Sequence, residues 1–404
     1  MRTASPRVGV VCFGLGSADG MGVRARAVVD DLRAIGATVQ VIALGDGGES
    51  RIDGAARGVP TISVPGGRWA ILWHLGRVLR SASPSLDALV IEGAMFVPAL
   101  AVARTRLPVV WDVVELETLH YRRLHSRRLA TVLRARTWDV LERWASHRSS
   151  VVVAISEAEA RACERLLPAA RGRVRVVLHR VPLPTPRRSA HDSTGAPRSS
   201  SSSSSSFGAA PRLVFVGNLA AKHNRAAAHW ILDELAPGAP GRFEILFVGP
   251  GSEKLRTDEG LGGSVARLGI VDDLSQVILP TDIGIAPLAA GAGVKTKMLD
   301  YLSLGCRIVA TPVAVEGLEG CPGVVVSTLD GFVATASELA KTSEPAAVLH
   351  QRVESQHRWL ADYVTPGHAR SMWWSILHEL GLAQRSLWPL VAADPAAREP
   401  GSTA

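Results

Sequence analysis

The sequence predicts an α/β protein with two doubly wound parallel sheets. Short apolar runs alternate with helical patterns along both halves of the chain, an alternation typical of parallel sheets with helices on both faces. Residues 185–211 separate the halves; this segment is rich in serine and proline, includes the serine run 199–206 and lacks apolar periodicity. A length of 404 residues suits two or three domains. We therefore expect one unit in residues 1–184 and a second in residues 212–361, joined by a flexible linker.

The first half begins with a buried strand, predicted at residues 8–13. A glycine-rich loop follows and includes Gly20 and Gly22, and the helix after this loop ends at Gly36. Helical patterns lie between most of the later apolar runs, so the strands of this half should be parallel. These runs predict strands at residues 38–43, 88–91, 109–111, 151–154 and 174–177.

The second half repeats the alternation, with a helix predicted at residues 224–235 after its first strand. Its strands are predicted at residues 213–216, 243–248, 282–286, 307–310 and 324–326. Both halves are therefore Rossmann-like, and ligands of such sheets bind at the carboxyl ends of the strands. A last helical pattern, residues 364–384, has an apolar face and is expected to join the first unit. Residues 385–404 lack periodicity and are expected to be disordered.

One segment of the second half combines glycines and lysines at the start of a helix. Gly291 and Gly293 precede the helix, and Gly305 follows it where a left-handed cap is wanted. Lys295 and Lys297 occupy the first turn, where the helix dipole disfavours cations. Free N–H groups, close backbone approach and two lysines together indicate a site for a phosphate-bearing ligand. The alternative is a solvated helix start with two surface lysines. The expected apolar face consists of Val294, Met298, Leu299 and Leu302.

The net charge of +8 is densest in residues 121–143. A solvated helix face explains such a run, and contact with an anionic membrane surface or a phosphorylated acceptor is the next interpretation. No recognised motif accompanies the charge, so no nucleic acid partner is expected. The chain shows neither a leader peptide nor an uninterrupted apolar span of about 20 residues, so we expect a cytoplasmic protein that contacts the inner face of the membrane at most peripherally. Its four cysteines lack metal-ligand spacing, which favours reduced thiols.

The order of these features resembles the GT-B fold of retaining glycosyltransferases of family 4, also called group 1. In that fold two Rossmann-like domains face each other across a cleft, and the C-terminal one binds a nucleotide-sugar. The match is strong over residues 212–330 and weaker over residues 1–184, where Gly20-Met-Gly22 corresponds to the glycine loop of the family. The usage of Ala, Arg, Val and Gly is similar to that of GC-rich bacterial genes. By this resemblance the donor contacts are Gly20, Gly22, Gly217, Asn218, Lys222, Gly249, Leu268, Gly269, Ile270, Gly291, Ala292, Gly293, Val294 and Asp300.

The two acids of the family motif Glu-x7-Glu correspond to Ala292 and Asp300 of this chain. Asp300 corresponds to the second acid, which accepts hydrogen bonds from the ribose; otherwise it is a surface acid paired with Lys297. The first acid is replaced by Ala292, so its role with the donor sugar is absent or supplied elsewhere. The chain resembles a Gly-x-Gly-x-Lys-x-Lys subset, in which Lys295 and Lys297 would meet the diphosphate. Lys222 is the only base near the position where the broader family has a basic pair.

The N-terminal half supplies two further candidates for the reaction. Asp112 and Glu115 follow a predicted strand and resemble a family segment that often contains a sugar-contacting histidine, a position occupied here by Val114. Both carboxylates are expected either to contact a sugar or to cap the strand end. The expected catalytic residues are then Lys295, Lys297, Asp112 and Glu115.

The resemblance implies a metal-independent, retaining transferase. A nucleoside diphosphate sugar is its co-substrate, no other cofactor is expected, and the departing phosphate itself takes the proton of the acceptor. Lysines and helix N–H groups would stabilise the charge that develops on this leaving group. The acceptor would be a cell-envelope glycan, a lipid-linked molecule or a specialised metabolite.

Three other functions share parts of this pattern. A nucleotide-sugar epimerase has the same two-domain architecture but needs acid and base residues in the cleft. A nicotinamide oxidoreductase needs Gly-x-Gly-x-x-Gly, a spacing that Gly14, Gly16 and Gly20 do not match. A non-catalytic protein that binds a nucleotide-sugar or glycan is favoured by the departures at Ala292 and Val114.

Overall fold

The computed structural model contains two parallel β-sheets, one in each half of the chain. It describes residues 5–13, 15, 20–44, 61–64, 70–123, 129–179, 212–238, 243–256, 265–363 and 366–383. The strands are β1 (Arg7–Cys12), β2 (Thr38–Leu44), β3 (Thr61–Val64), β4 (Ala88–Glu92), β5 (Val109–Val113), β6 (Val151–Ala154), β7 (Val174–Val176), β8 (Arg212–Val216), β9 (Glu244–Val248), β10 (Val265–Arg267), β11 (Ile283–Ala286), β12 (Arg307–Ala310) and β13 (Val324–Val326).

Helices connect these strands in both halves. They are α1 (Gly20–Ala34), α2 (Ala70–Ala82), α3 (Pro98–Ala103), α4 (Glu117–Arg123), α5 (Leu129–Arg148), α6 (Glu157–Leu166), α7 (Lys222–Trp230), α8 (Ala236–Gly238), α9 (Thr296–Ser303), α10 (Leu329–Lys341), α11 (Ala346–Tyr363) and α12 (Pro366–Glu379). Between α7 and α8 the backbone is π-helical over Ile231–Leu235.

The N-terminal sheet has seven strands in the order β3-β2-β1-β4-β5-β6-β7, and the C-terminal sheet has six in the order β10-β9-β8-β11-β12-β13. Every described strand pair is parallel. Neighbouring residues of β1 belong to different apolar clusters, Val10 to one and Val11 to the other, so both faces of the N-terminal sheet are covered. The predicted fold class is therefore confirmed.

All eleven predicted strands coincide with observed ones, whereas β3 and β10 were not predicted. Both missed strands lie at a sheet edge and are short, and residues of β10 are only half-buried. An edge strand covered on one side needs no long apolar run, so its sequence lacks the signal of a central strand.

Helix α9 is fixed to the C-terminal sheet by the buried Tyr301. Its hydroxyl donates to the carbonyl of Val214 at 2.9 Å and accepts from the N–H of Val216 at 2.8 Å. The ring lies against Gly284 of β11, where a Cβ would come within 2.5 Å of it. Glycine is required there because the aromatic ring takes the space of a side chain. The start of α9 is thereby held at the carboxyl ends of β8 and β11.

Helix α12 returns to the N-terminal unit and packs beside α1. Trp373, Ile376 and Leu377 are buried in the same cluster as Val8 and Val10 of β1. This is the contact expected of the last helical pattern. Several predicted features fall outside the described residues: the linker 185–211, the tail 385–404, and Gly14 and Gly16 of the glycine loop.

Helix α9 differs from its prediction at the first turn. Lys295 is the residue that precedes the helix, and Val294 lies in the loop before it, buried near Gly317. Gly305 adopts the expected left-handed conformation, with φ of 73°. In the described chain no helix has the length and apolarity needed to cross a membrane.

Candidate active site

The candidate site lies where the carboxyl ends of the two sheets face each other. Contacts across this cleft join α4 to the loop after β11. Arg123 donates to the carbonyl of Gly291 at 2.7 Å and to the carboxylate of Glu316 at 2.5 and 2.6 Å. The rings of His120 and His223 lie 6.0 Å apart. Ile155 of the N-terminal unit is buried in the apolar cluster of the C-terminal unit. The two units therefore enclose the cleft.

The loop after β11 brings backbone close to the opposite unit. Gly291 and Gly293 have φ of 149° and 67°, a region that favours glycine. A Cβ on Gly293 would lie 2.5 Å from the carbonyl oxygen of Val114, so no other residue fits. Ala292, which lies between the two glycines, and Val294, which follows them, are buried. The Gly-x-Gly pattern is thus explained by conformation and by the narrow gap across the cleft.

Lys295 is buried, with an exposed fraction of 7%, so it is not a surface lysine. Its ammonium donates to the carbonyls of Ala292, at 2.9 Å, and Gly293. Burial lowers the pKa of Lys295, while the nearby Glu115 and other carboxylates oppose this effect. The ammonium therefore holds the loop closed on itself and faces an acidic group of the other unit.

Lys297 is also buried, with an exposed fraction of 5%. Its ammonium donates to Asn224 Oδ1 at 2.6 Å and lies 3.9 Å from the ring centroid of Phe215. Burial and the charge of Lys295 lower the pKa of Lys297 to about 7. The alternative of a solvated helix start with two surface lysines is contradicted, because both ammonium groups are inside the cleft.

Asp300 is half-buried on α9, one turn after Lys297. Burial raises the pKa of its carboxyl to about 7, and the charge of Lys297 opposes this shift. Among the described residues no ion pair joins the two side chains, so the pairing expected as the alternative role of Asp300 is not formed. The hydrogen bond from a ribose hydroxyl to this carboxylate stays a prediction.

Four glutamates of the N-terminal unit gather opposite Lys295. Burial and the charges of its neighbours, Glu117 first, raise the pKa of Glu115 to about 8. Burial raises the pKa of Glu142 to about 7 and also raises the pKa values of Glu117 and Glu159. Close carboxylates disfavour one another's ionised forms, so Glu115 and Glu142 can hold protons near neutral pH. Glu115 is half-buried, and its Cβ lies 3.4 Å from the place that a Cβ on Gly293 would take.

Glu159 connects the two units through its carboxylate. It accepts hydrogen bonds from the N–H groups of Leu116, at 2.8 Å, and Gly293, at 3.2 Å. The second of these N–H groups belongs to the loop in which the sequence predicted an anion site. A protein carboxylate therefore already occupies an anion position at this glycine.

Two histidines add neutral rings to the cationic side of the cleft. Burial and the charge of Lys297 lower the pKa of His223 to about 3. Burial, followed by the charges of Lys295 and Lys222, lowers the pKa of His120. Cations and burial both disfavour the protonated rings, so each imidazole stays neutral at physiological pH.

Asp112 does not face the cleft. Both of its oxygens accept from the guanidinium of Arg24 at 2.9 Å, and neither side chain is exposed. Arg24 donates further to the carbonyls of Val177 and Leu178. The expected sugar contact of Asp112 is corrected accordingly: in this arrangement the carboxylate ties α1 to β5.

The loops after β8 and β9 touch through their glycines. A Cβ on Gly249 would lie 2.4 Å from the carbonyl oxygen of Gly217. The side chain of Asn224 packs on Gly217 and donates to the carbonyl of Asn218 at 3.0 Å. Lys222 begins α7 beside this loop and contributes to the positive potential at His120. Asn224, which packs on Gly217, thus links the loop after β8 to Lys297 of α9.

The loop after β10 presents apolar side chains to solvent at the same edge. Leu268 and Ile270 are exposed by 43% and 63%. Gly269 between them has φ of 67° and its N–H donates to Ser252 Oγ at 2.9 Å. Two exposed apolar groups around an ordered backbone are suited to a flat aromatic ligand. Gly20 and Gly22 lie apart from these loops in sequence, at the start of α1 after β1.

Four residues of the cleft were missed by sequence reasoning. The partners that they contact across the cleft lie more than 100 positions away in the chain, so no local spacing shows them. The start of α6 does carry a signal, since Ser156 and Glu159 have the spacing of a capping box. Here the carboxylate binds other N–H groups instead of returning to the cap. The missed residues are Arg123, Glu159, His223 and, as a partner of Arg123, Glu316.

Comparisons with known families identify both halves. Residues 210–342 match the family model described as glycosyl transferases group 1, and residues 19–198 match the glycosyl transferase 4-like domain. A search of curated proteins by sequence finds no match.

Solved structures share the whole fold at low sequence identity. Sucrose-phosphate synthase from Thermosynechococcus elongatus has a TM-score of 0.72 at 12% identity, covering 94% of this chain and 100% of that one. HepE from Anabaena, in complex with UDP and glucose, has a TM-score of 0.65 at 15% identity, with coverages of 93% and 100%. WaaG, a glycosyltransferase involved in lipopolysaccharide biosynthesis, has a TM-score of 0.64 at 13% identity, with coverages of 90% and 99%.

Proposed function

The chain is a GT-B glycosyltransferase with group 1 and 4-like domains, and we propose that it transfers a sugar from a nucleoside diphosphate sugar with retention of configuration. One observation carries this proposal: two lysines, Lys295 and Lys297, are buried at the start of α9, next to the loop that Arg123 holds in the closed cleft. Burying the Lys297 ammonium near that of Lys295 is costly unless an anion completes the site, because no carboxylate of the described residues forms an ion pair with Lys297. A diphosphate has the required charge. The complexes of HepE with UDP and UDP-glucose support this class of donor.

We assign the diphosphate to Lys297 and Lys295. Negative charge grows on the diphosphate as the glycosidic bond breaks, and preorganised cations stabilise that charge more in the transition state than in the bound donor. The low polarity around Phe215 strengthens the interaction with Lys297. An anion raises the pKa of a neighbouring ammonium, so donor binding would keep Lys297 protonated.

The other donor groups have places along the same edge. Asp300 would accept hydrogen bonds from the ribose, and Leu268 and Ile270 would frame the base around the backbone of Gly269. Glu115 would take the role of the acid that is absent at Ala292, since its Cβ lies against the neighbouring Gly293. The carboxylate then reaches the donor sugar from the N-terminal unit.

The chemical step needs no protein nucleophile in this proposal. The bond from the anomeric carbon to the diphosphate oxygen breaks, and the acceptor oxygen bonds to the same face of that carbon. The departing phosphate takes the acceptor proton. Lysines neutralise the leaving group, so we propose a metal-independent reaction. The acceptor would be a cell-envelope glycan, a lipid-linked molecule or a specialised metabolite.

A donor assay separates this function from the alternatives. The purified chain is incubated with UDP-, GDP- and dTDP-sugars, with and without EDTA, and free nucleotide and sugar are measured. Nucleotide release that is unaffected by EDTA, without epimerisation or redox change, supports the transferase. Binding without turnover would indicate a non-catalytic nucleotide-sugar protein, and an epimerised donor would indicate an epimerase. The anomeric configuration of the glycoside, read by NMR once an acceptor is found, tests retention.

A further inference from the structure

Helix α5 exposes an apolar stripe that the core of the protein does not use. Leu129, Leu133, Val140 and Trp144 have exposed fractions of 73%, 52%, 65% and 37%. Their spacing places them on one side of the helix. The buried residues of α5, which include Glu142 and Ala145, lie elsewhere around the helix and pack on the N-terminal unit. We call this exposed side, with its apolar and basic residues, the α5 face.

Arginines share the α5 face with these apolar side chains. Arg136 and Arg143 follow the same helical spacing and are exposed. Asp139 is the neighbouring acid, and it pairs with Arg143 at 2.9 Å and with Arg122 of α4 at 3.4 Å. Apolar groups with a basic rim are the composition of a helix that lies in a membrane interface.

A surface cavity of about 340 Å³ adjoins the α5 face. It lies between α4 and α5, and Arg122 and Arg136 are both in its wall. Asp139, which pairs with Arg122, lies in the same wall, so Arg136 is the guanidinium that suits a phosphate group at the depth of lipid headgroups. Residues 124–128, which complete the basic run, lie outside the described residues.

We propose that the α5 face docks the protein on an anionic lipid bilayer. Leu129, Leu133, Val140 and Trp144 would enter the headgroup boundary, and the arginines would contact lipid phosphates. Burial of the apolar side chains in the headgroup boundary supplies one part of the binding free energy. Each arginine adds an electrostatic part, which salt weakens.

The position of this surface relates it to the cleft. Helix α4 presents Tyr121 and Arg122 to the cavity, and its His120 and Arg123 to the cleft. A docked protein would therefore hold the cleft beside the bilayer. Resting on the proposed function, this placement favours an acceptor carried by a lipid over a dissolved metabolite.

Vesicle sedimentation tests the proposal without any sugar substrate. Vesicles of phosphatidylcholine alone are compared with vesicles of equal parts phosphatidylcholine and phosphatidylglycerol, at low and high salt. The double variants L133S/V140S and R136E/R143E should each lose at least about tenfold in partition to the anionic vesicles. W73S/R77E is the matched control, because it changes an exposed tryptophan and an exposed arginine on α2; it should bind like the unchanged chain. Thermal melting verifies that each variant is folded.

Three results would overturn the proposal: no binding to anionic vesicles, equal binding to both compositions, or equal loss in the control. Self-association that depends on Leu133 and Val140, measured by light scattering without lipid, would assign the face to a second copy of the chain instead. Nucleotide release in solution should be unchanged in L133S/V140S. Failure of vesicle binding with intact donor turnover would therefore refute the docking surface and leave the proposed function standing.

Discussion

Arg123 and Glu316 join the two units through two hydrogen bonds, of 2.5 and 2.6 Å, between a guanidinium and a carboxylate. Their side chains are about a quarter exposed. Burial alone would raise the pKa of Glu316, but the hydrogen bond and charge of Arg123 lower it. Because Arg123 also donates to the carbonyl of Gly291, the pair fixes the loop after β11 in the closed cleft.

A double-mutant cycle on this pair should show coupling. Arg123→Ala and Glu316→Gln should each raise the donor KM, and the double variant should be little worse than the poorer single variant, because both remove the same contact. For a partly exposed pair we expect a coupling energy of about 1 kcal/mol. Donor KM values of all four chains give the cycle. Strict additivity would show that the contact does not act on donor binding.

Lys297→Met tests the charge at the diphosphate. The substitution keeps a long apolar stem but removes the ammonium, and we expect turnover to fall at least about tenfold. Lys341→Met, on the exposed end of α10, is the control and should keep full turnover. The melting temperature should not fall, because the substitution removes the Lys297 charge, whose burial in the folded protein is costly. Near-normal turnover in Lys297→Met would refute the assignment of the diphosphate.

Glu115→Gln tests the carboxylate proposed for the donor sugar. At about pH 9, above the pKa of about 8 of this carboxyl, turnover with the nucleoside diphosphate sugar should fall at least about tenfold, because a hydrogen bond from a sugar hydroxyl is stronger to a charged acceptor. The affinity for free nucleoside diphosphate should change little, since that ligand carries no sugar. Glu157→Gln, exposed at the start of α6, serves as the control. Equal losses for sugar nucleotide and free nucleotide would place Glu115 in another role.

Glu142 should make stability depend on pH. Burial raises the pKa of its carboxyl from 4.5 to about 7. Between these two pH values the folded chain therefore keeps a proton that the unfolded chain has released. The stability that this residue contributes is therefore complete below pH 4.5 and is lost as pH rises through about 7. By pH 8 Glu142→Gln should be more stable than the unchanged chain by about 3 kcal/mol. Denaturant unfolding at pH 5 and pH 8 measures the difference, and an equal effect at both pH values would contradict the raised pKa.

Gly284→Ala should loosen the attachment of α9. The new methyl group would meet the ring of Tyr301 at 2.5 Å inside a packed core, and overpacking of this kind costs about 1–3 kcal/mol. The free energy of unfolding should fall by that amount, and donor affinity should weaken as the start of α9 shifts. Gly172→Ala is the comparison: its Cβ meets nothing within 4 Å, so any loss of stability there comes from the left-handed backbone, with φ of 73°, and not from overpacking. Unchanged stability in Gly284→Ala would show that α9 adapts freely.

Sequence reasoning reached most of the fold because buried parallel strands are nearly continuous apolar runs. It also located the Gly291–Lys297 segment, because the glycines and lysines of this segment stand between a predicted strand and a predicted helix. It did not reach the state of the lysines: their burial depends on Phe215, Asn224 and the opposite unit, which are distant in sequence. Asp112 was misread because its partner Arg24 lies 88 positions away. Long-range pairing, and not residue type, decided these roles.

Ile155 gives the closed cleft an energetic consequence. Its side chain belongs to the strand end of one unit but is buried in the apolar core of the other. Separating the units would return it to water at a cost of about 2 kcal/mol. Without a ligand the two units would therefore favour the closed cleft. They would have to separate in each cycle to admit the donor and to release the nucleotide. The free-energy cost of exposing Ile155 would then be part of every donor entry and nucleotide release.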